Sequence, residues 1–158
     1  MMLPTSRIAT LLAGFWAGIL LCIGGMAAPA AFAMLARPDA GRFVGRLFAQ
    51  DAYTSLAFAL VLLVIERQRA RDQAAGGVGS AFSANLMLLL GTLFCTVGGY
   101  FAVLPMMDAA RAGTGPVSFG ALHAASAVMF SVKGLLVLAL AWRLTAPALP
   151  FKTTATTS

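Results

Sequence analysis

The chain has 158 residues, 60% apolar and 10% charged, with 11 Lys plus Arg against 5 Asp plus Glu for a formal net charge of +6. Soluble domains are about one quarter charged, so this composition and a mean hydropathy of +0.89 exclude a water-facing surface, a disordered chain and a disulfide scaffold. The cations fall between long apolar runs, which is the placement of a membrane protein; the expected partner is the lipid bilayer and not a nucleic acid.

The first charge-free run is the 29 residues between Arg7 and Arg37. A bilayer core needs about 20 apolar residues, so a first span over about 8–30 is expected, kinked or ended by Pro29. Ala31-Phe32-Ala33 imitates a signal-peptide cleavage site. The run is about twice the length of a signal core, however, and the helix is read as uncleaved. Pro38 to Gln50 follows, with Phe43, Val44, Leu47 and Phe48 sharing one face and Arg42, Arg46 and Gln50 another. It reads as a short amphipathic segment along the interface. The next uncharged run holds only 14 residues between Asp51 and Glu66, too few to cross. The second span therefore covers about 46–66 and carries Asp51 about a turn and a half inside its boundary.

Glu66 to Asp72 is a charged helix end, and Gly76 to Ser80 reads as a flexible turn. From Gln73 to Met107 there is no charge; the third span is expected over about 82–104, closed by Pro105. A loop through Gly113 and Gly115 leads to the fourth span, about 117–142, which ends on the headgroup anchor Trp142-Arg143. Residues 145–158 are rich in Thr, Ala and Pro and read as a disordered tail. The fold class is all-α: one domain, residues 1–144, forming an antiparallel bundle of four transmembrane helices. Arg7, Arg67, Arg69, Arg71, Arg143 and Lys152 lie at one end against Arg37, Arg42, Arg46 and Arg111 at the other. That bias places both termini in the cytoplasm.

In lipid, helices associate where small residues let backbones approach. Gly14 and Gly18 in span one, Gly91, Cys95 and Gly99 in span three, and Gly120 in span four are the candidate packing positions, with Cys22 likewise a small packer. Packing within the bundle is the expectation for Gly14-x-x-x-Gly18, and homodimerisation is the sharper reading. Both cysteines sit inside apolar runs, so neither a disulfide nor a zinc site is supported.

No nucleotide-binding, metalloprotease or nucleophile-elbow motif is present, and the chain is not read as an enzyme. What needs a reason is polar residues at membrane depth. Lys133 lies ten residues before Arg143, about 15 Å from the helix end, where a charge costs on the order of 3 kcal/mol. Ser126 and His123 share its side of the helix and form one polar stripe expected to face the bundle interior. Asp51 is the expected counter-charge, about 7 Å higher and within reach of an extended lysine, with Gln50, Thr54 and Ser55 available as hydrogen-bond partners. A helix-start carboxylate is the competing reading of Asp51. A lone His123 supplies one ligand, and the eight Met residues suit core filling, so no metal or cofactor is expected.

Gly14-Phe15-Trp16-x-Gly18, Ala28-Pro29-Ala30-x-Phe32-x-x-Leu35, Ala40-Gly41 before Gly45-x-Leu47-Phe48, and Leu122-His123-x-x-Ser126 carry a resemblance over roughly residues 14 to 142. The chain resembles the small bacterial membrane proteins called domain of unknown function 4149, related to eukaryotic transmembrane protein 205-like proteins. That resemblance implies a four-helix integral membrane protein without an established activity, and Lys133 is not among the features it carries. The leading functional reading is a scaffold or accessory subunit, with another membrane protein or a second copy as partner. The alternative is a small ion- or proton-coupled transporter using Asp51, His123 and Lys133. A soft-metal or haem-binding membrane protein is third.

Overall fold

A computed structural model describes residues 5–75 and 83–146. The Gly76–Ser80 turn and the tail beyond Ala146 lie outside the described residues. Four helices are long and apolar enough to cross a membrane: α1 (Thr5–Met34), α2 (Arg37–Ala75), α3 (Ala84–Arg111) and α4 (Phe119–Thr145). The described residues are otherwise short connections. The protein is an all-helical, multi-pass membrane protein.

The helices pack in a ring, α1 on α2, α2 on α3, α3 on α4 and α4 back on α1. Consecutive helices run antiparallel, so α2 and α4 are parallel and face each other across the bundle. Local chemistry fixes the ends. Ser83 and Ser118 cap α3 and α4, their hydroxyls accepting from the Leu86 and Ala121 amides. After α3 the chain reverses through Gly113 at φ 74, the left-handed conformation that glycine adopts without a Cβ penalty. A Cβ on Gly115 would lie 3.0 Å from the Ala110 amide nitrogen, so a side chain there would crowd that backbone.

Three boundaries differ from the sequence expectation. Neither Pro29 nor Pro105 ends its helix. Each is preceded by a widened π-helical stretch, Ile23–Ala27 in α1 and Val97–Val103 in α3, after which the helix continues. Proline clashes with the carbonyl four residues back and donates no amide; the wider turn moves that carbonyl away. The amphipathic stretch from Pro38 to Gln50 is not a separate segment either. It is the first third of α2, a continuous 39-residue helix. At 1.5 Å per residue α2 is about 58 Å long, so its charged ends project well past a core of about 30 Å.

The two halves of the bundle are packed differently. At the end holding the start of α1 and the close of α4, one core joins all four helices: Ala13, Trp16, Leu62, Leu89, Val137 and Leu140 are its centre. This end is also latched by polar contacts. Glu66 accepts from Arg69 at 2.9 Å and from Asn85 at 3.1 Å, Asn85 accepts from Arg143 at 2.9 Å, and Thr10 donates to the Leu144 carbonyl at 2.9 Å. At the opposite end the buried cluster is small, Ala31, Ala40 and Val44, with Met107 and Leu122 buried apart from it. Past Gly24, where a Cβ would meet the Phe130 ring at 2.9 Å, α1 leans on α2 rather than on α4. The bundle is therefore closed at one end and split at the other.

The small residues divide on the same geometry. Gly91 and Gly99 face α4, a Cβ meeting Leu136 at 2.9 Å and Met129 at 3.6 Å respectively, and Cys95 is buried beside them. Gly14, Gly18 and Gly120 would meet nothing within 4 Å, and Cys22 is exposed. The expectation that these four pack within the bundle is corrected. The packing face of α1 is the neighbouring stripe Ala9, Ala13 and Ala17. Leu11, Phe15, Leu60, Phe94 and Leu135 are exposed on the outside of the bundle, as apolar side chains facing lipid are.

Candidate functional site

At the floor of the split lies a diagonal ion pair. Lys133 is 14 residues past Phe119, about 21 Å down α4. Side chains on a helix lean toward its N-terminus, so Lys133 reaches back up toward the open end and toward Asp51 on α2. Its Nζ sits 2.5 Å from Asp51 Oδ2, and both residues are almost completely buried, at 5% and 3% exposure. Ser55, one turn below Asp51, donates to Asp51 Oδ1 at 3.1 Å and lies 3.4 Å from the Lys133 ammonium. Trp16 of α1 donates its indole N–H to the Ser55 hydroxyl at 3.0 Å. Lys133 Nζ also lies 5.2 Å from the centre of the Phe130 ring, within cation–π range. Three helices thus satisfy one buried charge pair, and among the described residues no buried side-chain polar atom lacks a partner.

Above the pair opens a cavity of about 1080 Å³, at the upper end of the range for small-molecule sites. Its walls are largely apolar, with Phe48 on α2, Tyr100 and Leu104 on α3, and Phe130 on α4. Asp51 and Lys133 form its floor, and Arg37, Arg42, Arg111 and Asp108 stand at its rim. Arg42 pairs with Asp39, and Arg111 pairs with Asp108 at 2.9 Å. Arg37 makes no ion pair among the described residues. The Arg111 guanidinium also lies 4.8 Å over the Phe119 ring, and Phe119 stacks on His123 with centroids 5.9 Å apart.

The polar stripe of α4 is therefore divided. Lys133 is at the floor with Asp51, while His123 and Ser126 line the wall above it. His123 is exposed and contacts Phe119 rather than Lys133. Among the described residues no three His, Cys, Asp or Glu side chains converge. Of the hydrogen-bond partners considered for Asp51, Ser55 makes the contact; Thr54 instead returns to the Gln50 carbonyl at 2.8 Å. Sequence reasoning missed Trp16, although an indole N–H inside a bundle needs an acceptor and so signals a polar neighbour. It also read Glu66 as a simple helix end, whereas Glu66 joins α2 to α3 through Asn85.

A family model described as a domain of unknown function matches residues 11–116. The matched stretch contains Asp51, Ser55 and the whole of α2 and α3, whereas His123, Ser126 and Lys133 lie beyond it. No curated protein and no solved structure matches the chain at a significant level. With two thirds of its length matched, the chain belongs to the DUF4149 family of membrane proteins.

Proposed function

We propose that the protein binds a small molecule in the cavity at its split end and serves a transport step, rather than acting as a scaffold or accessory subunit. The observation that supports this reading is the cavity of about 1080 Å³ ending on the Asp51–Lys133 pair. A scaffold has no use for an internal space with a charged floor. A carrier needs a path open to one side, a barrier on the other, and polar groups where they meet. The tightly packed half around Trp16, Leu62 and Leu140 supplies the barrier. We place the protein in a bacterial inner membrane with both termini cytoplasmic, on the resemblance to bacterial proteins and on the basic residues Arg67, Arg69, Arg71 and Arg143 at the closed end. The cavity then opens to the periplasm.

Thiol labelling tests this directly. In a background carrying Cys22→Ser and Cys95→Ala, Ser126→Cys lies on the cavity wall and Leu135→Cys on the outer face. A charged, membrane-impermeant reagent added outside cells should modify Gly113→Cys and Ser126→Cys but not Leu135→Cys or Ala75→Cys. Labelling of Gly113→Cys without Ser126→Cys would show that the cavity admits no solute, and the scaffold reading would take its place. Labelling of Ala75→Cys would invert the topology.

A further inference from the structure

Resting on that reading of the cavity, we infer that its ligand is a single-chain amphipathic anion drawn from the membrane, with its apolar chain in the shaft and its carboxylate or phosphate head at the arginine rim. Uncompensated charge lies at the rim and not at the floor. Lys133 is already neutralised by Asp51 and hydrogen-bonded by Ser55, so the floor offers a second anion no free charge. The surplus is at the rim, where Arg37 pairs with no carboxylate among the described residues. Arg42 and Arg111 each spend part of a five-donor guanidinium on a neighbouring aspartate and retain donors for another oxygen anion. Between rim and floor the wall is largely apolar, with Val44, Phe48, Leu104, Met107 and Phe130, and Thr96, His123 and Ser126 are its polar, uncharged members. A small hydrophilic anion would gain nothing from those apolar side chains, whereas a hydrocarbon chain would gain by covering them.

Access points the same way. Beyond Gly24, α1 follows α2 and separates from α4, so the split lies along the side of the bundle as well as at its end. Exposed Phe32 on α1 and Phe119 on α4 line the cavity on either side of that split. An amphipath already in the leaflet could slide its chain between the helices while its head stays at headgroup level. That route keeps the charge out of the hydrocarbon core throughout.

The test uses protection of Ser126→Cys in the purified full-length protein in lipid nanodiscs. Laurate should slow modification by the charged thiol reagent about tenfold, equivalent to about 1.4 kcal/mol of occupancy. Dodecyltrimethylammonium, of the same chain length and opposite charge, and butyrate, of the same head without the chain, should not. Arg37→Gln should weaken laurate protection, measured as the ratio of that variant's own labelling rates with and without laurate. Equal protection by laurate and dodecyltrimethylammonium would overturn the choice of an anion. Protection by butyrate would point to a water-soluble anion instead of a lipid. If Ser126→Cys reacts but laurate never protects it, this inference fails while the cavity reading stands; if Ser126→Cys never reacts, the cavity reading itself fails.

Discussion

The Ser55 hydroxyl holds a position out of proportion to its size. It accepts from Trp16, donates to Asp51 and lies within 3.4 Å of Lys133, which uses its one hydrogen and both lone pairs. Removing it leaves an indole N–H and a carboxylate oxygen short of partners in a fully buried site. Ser55→Ala should therefore destabilise the protein by about 1–3 kcal/mol, the cost of leaving buried polar groups unsatisfied. Trp16→Phe on its own should also cost stability, but added to Ser55→Ala it removes a group already orphaned. The pair of changes should lose less than the sum of the singles in thermal unfolding in detergent. Strictly additive losses would mean that Trp16 and Ser55 do not meet. Part of this cluster is legible in the sequence, because Asp51 and Lys133 are charges in runs that should have none. Trp16 is not, because an aromatic in an apolar helix looks like any other core residue until its N–H is traced.

Among the helices, spacing identifies a pattern without saying which side of it is used. Gly14-x-x-x-Gly18 and Ala9, Ala13, Ala17 run along α1 one residue apart, and either stripe permits close approach. The bundle uses the alanines, which are buried, and leaves the glycines on the lipid side. Gly14→Ala combined with Gly18→Ala should consequently leave stability unchanged or raised, since Ala is favoured over Gly by up to about 1 kcal/mol per helical residue. Gly91→Val should do the opposite, because its first carbon already approaches Leu136 at 2.9 Å. Thermal unfolding with size-exclusion chromatography checks both. A loss of stability or a fall in apparent mass on changing Gly14 and Gly18 would mean that a second copy packs there. The prolines illustrate a different gap. A missing amide at Pro29 or Pro105 argues for a helix end, but a preceding π-turn restores the path, and the sequence carries no plain signal for it beyond the paired glycines Gly24-Gly25 and Gly98-Gly99.

For the whole molecule, hydropathy was enough to count four spans and to order them, because each must bury its backbone groups internally and present apolar side chains to lipid. It could not show that the bundle is closed at one end and split at the other. That depends on which pairs of helices keep contact past Gly24 and Phe130, a property of packing that no single run contains. At the base of the split, α2 and α4, which face each other across the bundle, are joined by the Asp51–Lys133 pair. Breaking a buried pair by removing one partner costs about 3–5 kcal/mol, whereas replacing both with uncharged groups of similar size is far less costly. Thermal unfolding of wild type, Asp51→Asn, Lys133→Met and the double variant in one detergent measures whether the two charges depend on each other. Each single change should lower stability and the double variant should recover much of either loss; two losses that simply add would mean that Asp51 and Lys133 do not meet.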